Sequence, residues 1–303
     1  MLHPYFVFLT GCCSADNFRI DATFAPYFMA LRARFGEFME TKSLDAVLEQ
    51  RLSPELVLLR LSNPGRLNSF TAHMWIALTE TIERLGAKDS GVRCIIITGA
   101  DRTAFAAGSD ISEFRQSRAN AQQARQYGEI VAAGIKALEM CEVPMVAMIQ
   151  GACVGGGLAV ASLCDIQVAG ESARFGVPVN RLGLVMAHAE MQGLLRSAGP
   201  SVVREVLLEG RIFSAKEALA KGLVSRVVAD DEVQLEVDRL VAAIVKGAPL
   251  VARWHKRFIR RLLDPAPLSE GEVGEAYACF DTRDYQIGLE AFEQKTTPQF
   301  VGA

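Results

Sequence analysis

An α/β fold that gives way to a helical C-terminal region is the architecture this sequence predicts, and three features carry the expectation. Apolar runs of strand length alternate with helical periodicity as far as about residue 200. Beyond that point the periodicity is almost wholly helical. Hydrophobic residues make up 50% of the 303-residue chain and charged residues 22%, so a full core can be buried and disorder is excluded as the dominant state.

The elements follow in order. Leu56-Val57-Leu58-Leu59-Arg60-Leu61 reads as a strand that ends in the turn Ser62-Asn63-Pro64-Gly65. Thr71 is placed to cap a helix in which Met74, Leu78, Ile82 and Leu85 recur at helical spacing until Gly86. Residues 94–98 form a continuous apolar run, the pattern of a strand covered on both faces. Helix-period residues over 119–140 lead to strands at 145–149 and 165–169. The later helices are expected at 202–208, 215–221, 232–245, 250–263 and 270–280. The uncharged stretch 143–164 is long enough to cross a bilayer, but Pro144, Gln150, Gly151 and Gly155-Gly156-Gly157 divide it into a buried strand, a Gly-rich turn and a buried helix. No membrane partner is expected.

Composition excludes other classes. Lys+Arg of 32 against Asp+Glu of 35 gives a formal charge of −3, with no extended basic run of the kind that tracks nucleic acid. The cluster Arg253, His255, Lys256, Arg257, Arg260 and Arg261 reads as the solvated face of a helix, with contact to a small phosphorylated ligand as the alternative. The cysteines at 12, 13, 94, 141, 153, 164 and 279 have no zinc-site spacing and read as reduced thiols of a cytoplasmic protein. Leu9-Thr10-Gly11-Cys12 faintly resembles a lipoprotein processing site, but no Lys or Arg precedes it. Residues 1–38 are therefore read as an extension without a catalytic role or as sequence before an internal start at Met39. The expected division is an N-terminal extension over 1–47, a core over 48–230 and a helical region over 231–303.

The chemistry concentrates in two Gly-containing loops that follow strands: Ala106-Ala107-Gly108-Ser109-Asp110-Ile111, and Gly151-Ala152-Cys153-Val154-Gly155-Gly156-Gly157 at the start of a helix. Glycines there let a backbone approach a ligand and leave N–H groups free at a helix start, so two such loops side by side would hold an oxyanion. The same turns also serve as packing devices. Neither fits GxxxxGK[ST] or GxGxxG, which disfavours nucleotide binding of those kinds.

Several segments occur together in order: Asn63-Pro64-Gly65-Arg66-Leu67-Asn68, Ala104 through Ile111, Gly155-Gly156-Gly157 with Cys164-Asp165-Ile166, Phe175-Gly176, Gly183, Phe213-Ser214-Ala215 and Gly222-Leu223-Val224. This series, continued by Asp284-Tyr285-Gln286 through Phe300, resembles the crotonase (enoyl-CoA hydratase/isomerase) superfamily over roughly residues 48–303. The resemblance implies a spiral of β-β-α units with a helical C-terminal region that serves oligomerisation and covers coenzyme A. It also implies a homotrimer or a dimer of trimers. The implied substrate is an acyl-CoA thioester whose carbonyl is held by the N–H groups of Ser109 and Gly156. Coenzyme A enters as part of that thioester, with no separate cofactor and no metal. Implied contacts to it are Arg66, Ala107, Asp110 and Ile111, with Phe280 and Lys295 near the adenine of a neighbouring subunit.

Typical hydratases of that superfamily carry glutamates where this chain has Ala159 and Val179, and neither side chain transfers a proton. The loop Leu184-Val185-Met186-Ala187-His188-Ala189-Glu190 offers a replacement. His188 is the first candidate because imidazole titrates near neutrality, with Glu190 orienting it or acting itself. A structural His188 and a helix-starting Glu190 is the alternative. The Ser109 hydroxyl, Asn180 and Arg181 could bind a substrate carboxylate. The chain is thus expected to process acyl-CoA through an enolate, the alternatives being a decarboxylase, a thioester hydrolase or a silent acyl-CoA-binding subunit. His3, His73 and His255 lie outside these loops.

Overall fold

A computed structural model describes residues 46–303, so the readings made for residues 1–38, with Cys12, Cys13 and His3, lie outside the described residues. Strand β1 (Ala46–Arg51) straddles the expected 47/48 boundary and pairs antiparallel with β2 (Leu56–Ser62). Every residue of β2 is buried. Even Arg60 stays inside, where its Nη1 donates to Gln50 Oε1 at 2.7 Å. Helix α1 (Ala72–Gly86) begins at Thr71, whose side chain accepts from the Met74 N–H, and it buries Met74, Trp75, Leu78, Ile82 and Leu85. The cap and apolar stripe read from the sequence are those observed.

From here the chain repeats one step. A strand joins the large sheet, the next short strand joins a second sheet, and a helix returns the chain. β3 (Cys94–Gly99) is followed by β4 (Ala104–Ala107), then by short α2 (Phe114–Ser117) and long α3 (Ala121–Met140). β5 (Met145–Ile149) is followed by β6 (Ala152–Val154) and α4 (Gly156–Leu163). β7 (Ile166–Gly170) is followed by β8 (Arg174–Gly176) and α5 (His188–Glu209). β9 (Phe213–Ser214), α6 (Ala215–Ala220) and β10 (Arg226–Val228) complete the sheets. Their strand orders are β1-β2-β3-β5-β7-β10 and β4-β6-β8-β9, parallel except for β1 against β2 and β9 against β8. This is a spiral of β-β-α units, and β3 and β5 are buried along their whole length as their unbroken apolar runs require.

Helices α7 (Val233–Lys246), α8 (Pro249–Leu262), α9 (Glu270–Glu275) and α10 (Arg283–Gln294) form the C-terminal region. Here the basic cluster departs from expectation, because its cations are engaged by the protein. Arg253 Nη1 donates to Gly86 O at 2.9 Å, Arg260 Nη1 donates to Glu139 O at 3.0 Å, and Lys256 pairs with Asp165 at 2.8 Å. Arg257 and Arg261 pair with Glu275 and Glu272. The helical pattern could not reveal that α8 meets carbonyls at the ends of α1 and α3, contacts distant in sequence. The helix expected over 270–280 stops at Glu275, and a 3₁₀ turn takes up Ala278–Asp281. In the other direction α5 begins at His188, well before 202, and bends at Gly199-Pro200. Among the described residues no helix is long and apolar enough to cross a membrane.

Candidate active site

The two Gly-containing loops meet where β4 and β6 end. The register Ala107↔Val154 sets them side by side. Gly157 permits the approach, since a Cβ there would lie 2.2 Å from the Ala106 carbonyl oxygen. Gly155 turns the chain with φ 53°, a conformation that favours glycine, and its N–H donates to Gly176 O at 2.9 Å. Gly156 then opens α4, so its N–H is one of the donors that a helix start leaves without an intrahelical acceptor.

Ser109 is set by a different contact. The Phe70 N–H donates to Gly108 O at 2.7 Å, and Phe70 O accepts from the Asp110 N–H at 2.8 Å. In this parallel bridge the partners are Phe70 and Ser109. Such pairing engages the groups on either side of Ser109 and turns its own N–H to the opposite side. Ser109 and Gly156 both line a cavity of about 140 Å³.

The rest of that lining includes Ala107, Ile111, Phe114, Arg118, Val179, Met186 and Glu190. Glu190 is the carboxyl group in it. Its side chain accepts from the Ala187 N–H at 3.1 Å, closing the first turn of α5. Burial pushes its pKa above the usual carboxylate value, while the Ala187 hydrogen bond and the Arg118 charge oppose the shift without cancelling it. A carboxyl so placed holds its proton at higher pH than a solvated one.

Arg118 follows α2, in a segment before α3 whose generic helical pattern does not mark it out. Its guanidinium carbon lies 4.3 Å from the centre of the Phe114 ring and 3.7 Å from that of Tyr127. Its Nη2 donates to Ser109 Oγ at 3.1 Å. Burial raises the Tyr127 pKa, with the Arg118 charge and hydrogen bond and a Ser109 hydrogen bond opposing.

The other sequence candidates are dispersed. His188 is exposed at the start of α5 and is not among the residues lining the cavity, so the geometry brings Glu190, not the imidazole, to Ser109 and Gly156. The reason is the helix start, which directs the third residue of α5 back toward its cap. Ala159 is fully buried in α4. Asn180 Nδ2 donates to Leu208 O at 3.0 Å, and neither it nor Arg181 lines the cavity. Ala107 and Ile111 do line it. Asp110 is bound internally: it accepts from the Ser112 N–H at 2.9 Å and from Asn63 Nδ2 at 3.2 Å. Burial alone would raise its pKa, but the Ser112 and Asn63 bonds and the Arg66 charge hold it below the usual value. Arg66 is exposed in its turn, while Phe280 and Lys295 lie on or beside the C-terminal helices and outside the cavity lining. No group of three or more His, Cys, Asp or Glu capable of holding a metal occurs among the described residues.

Comparison with known proteins agrees with the fold. The chain matches the family model described as enoyl-CoA hydratase/isomerase over residues 52–303. It is 31% identical over 246 residues to a short-chain-enoyl-CoA hydratase of Clostridium acetobutylicum, covering 80% of this chain and 92% of the relative. A crystal structure of an enoyl-CoA hydratase/carnithine racemase from Magnetospirillum magneticum is 44% identical with a TM-score of 0.83, covering 86% of this chain and 97% of that one. A family protein from Hyphomonas neptunium is 33% identical with a TM-score of 0.81, covering 87% of this chain and 100% of that one.

Proposed function

The chain belongs to the enoyl-CoA hydratase/isomerase family, and from that premise we propose that it moves protons on an acyl-CoA thioester through an enolate. The Ser109 and Gly156 N–H groups hold the thioester oxygen, and Glu190 gives or takes the proton at carbon. One observation carries this reading: the half-buried Glu190 carboxyl lines the same small cavity as the two backbone donors.

The chemistry follows from that arrangement. With Glu190 ionised, its carboxylate removes a proton from the carbon next to the thioester. The C–H electron pair moves toward the carbonyl, and the negative charge on oxygen is stabilised by both N–H donors. In a 3-enoyl thioester, return of the proton to C4 yields the conjugated 2-enoyl thioester. One acid-base group suffices for that migration, whereas water addition also requires a group to activate the water. Ala159 and Val179, where glutamates would stand by resemblance, supply none.

Ala107 and Ile111 in the lining and Arg66 in the adjoining turn are the contacts we propose for the coenzyme A portion. We also propose a homotrimer or dimer of trimers. It would cover Tyr277, Phe280 and Phe292, which are 65%, 50% and 83% exposed in the single chain. Incubation with short 3-enoyl-CoA and 2-enoyl-CoA thioesters, followed by NMR, tests the reaction. Double-bond migration that is lost in Glu190→Gln supports it. Thioester cleavage without migration favours the hydrolase alternative, loss of carbon dioxide from malonyl-type thioesters favours the decarboxylase, and binding without conversion favours the silent subunit.

A further inference from the structure

We propose that Arg118 binds a carboxylate on the acyl portion of the substrate, which makes short carboxyacyl-CoA thioesters the preferred class. The inference rests on the acyl-CoA reading of the cavity. Arg118 lines that cavity together with Ser109, Gly156 and Glu190. Its guanidinium is fixed between two aromatic rings and tethered to Ser109 Oγ. A side chain held in this way loses little further freedom on binding an anion, and the planar fork matches a carboxylate.

The charge around it points to an anionic ligand. Arg118 takes part in none of the ion pairs found among the described residues. Its Nε is buried without a hydrogen-bond partner. Two carboxyl groups come into question nearby. Glu113 accepts from the Ala72 N–H at 3.1 Å at the start of α1. Glu190 is bonded to the Ala187 N–H at 3.1 Å and forms no ion pair with Arg118 among the described residues. A half-buried cation without an ionic partner beside a reaction site is suited to supply selectivity for a negatively charged substrate.

Reach and volume set the length of the acyl chain. The guanidinium stands one serine side chain away from the Ser109 N–H, since Nη2 bonds the hydroxyl of that residue at 3.1 Å. A carboxylate close to the thioester carbonyl, as in malonyl- or succinyl-CoA, would meet it. The cavity of about 140 Å³ is small beside the roughly 300 Å³ at which ligand pockets usually begin.

Isothermal titration of the full-length protein with succinyl-CoA and with butyryl-CoA, its uncharged four-carbon counterpart, tests the proposal. Wild type should bind succinyl-CoA at least tenfold more tightly. Arg118→Gln should weaken succinyl-CoA by about 10- to 100-fold, the scale of one charge-assisted bond, and shift butyryl-CoA by less than about threefold. Arg118→Lys should recover part of the difference. Equal binding of both thioesters by wild type overturns the proposal while leaving the acyl-CoA reading intact. Equal weakening of both by Arg118→Gln also overturns it and makes Arg118 a positioning residue for Ser109. Binding of neither thioester by wild type overturns the acyl-CoA reading and this proposal with it.

Discussion

The rings of Phe70 and Trp75 stack with centroids 4.3 Å apart, and together they support both loops of the cavity. Phe70 pairs through its backbone with the chain around Ser109. The Trp75 ring lies under Gly156, its Cζ2 3.5 Å from where a Cβ on that glycine would stand. Both residues are fully buried, so the spacing of the two N–H donors depends on packing at the start of α1.

Replacing Phe70 by Leu should therefore affect activity and stability together. A loss of roughly 1 kcal/mol is expected for a swap of similar volume, and turnover per folded molecule should fall about tenfold as the donors lose alignment. Urea unfolding alongside kcat separates the effects. A destabilised variant with unchanged kcat would contradict the supporting role of the ring.

Glu190 gives a pH signature of defined sign. Its pKa is raised by burial, so the native state holds that proton more tightly than the unfolded chain does. The stability it contributes is present below the unfolded carboxyl range and is lost as pH rises through the native value. Glutamine keeps an oxygen to accept from the Ala187 N–H but carries no charge. Glu190→Gln should thus gain Tm relative to wild type as pH rises from about 4 toward neutrality. A difference that does not vary with pH would contradict the raised pKa of this carboxyl.

Two glycines should respond in opposite ways to the same change. Gly157→Ala puts a methyl group 2.2 Å from Ala106 O and should cost about 1–3 kcal/mol while spreading the two loops. Gly128, within α3, has nothing within 4 Å of a new Cβ. There alanine should add about 0.5–1 kcal/mol through helix propensity. Chemical denaturation of both variants checks the pair.

Thiol labelling tests the core. Cys94, Cys141, Cys153 and Cys164 are buried. Burial pushes the Cys94 thiol up to about 12 and raises the others in the same direction. Alkylation of the native protein at pH 8 with peptide mapping should modify Cys279 and spare these four. Rapid modification of Cys153 would show that the strand beneath the glycine loop opens readily.

Much of this arrangement was readable in the sequence. The unbroken runs of β3 and β5 and the Thr71 cap, which depend on local spacing, pointed to an α/β core, and the resemblance carried by the ordered motifs implied the spiral and the Ser109 and Gly156 donors. The short strands β8, β9 and β10 were not legible, since two or three residues carry no periodicity. The cavity's charged groups depended on geometry that spacing does not encode. His188 and Glu190 are two residues apart, yet the start of α5 leaves one exposed and the other in the cavity. Arg118 gained its surroundings from Tyr127 across a turn between two helices.

Proton exchange at carbon tests the central claim most directly. Butyryl-CoA incubated with the protein in deuterium oxide and followed by NMR should take up deuterium next to the thioester. Glu190→Gln should slow that uptake by about 10²- to 10⁴-fold, the range for a lost acid-base group, while butyryl-CoA still binds. Equal exchange by wild type and Glu190→Gln, or bound thioester that never exchanges in wild type, would contradict enolate chemistry through Glu190.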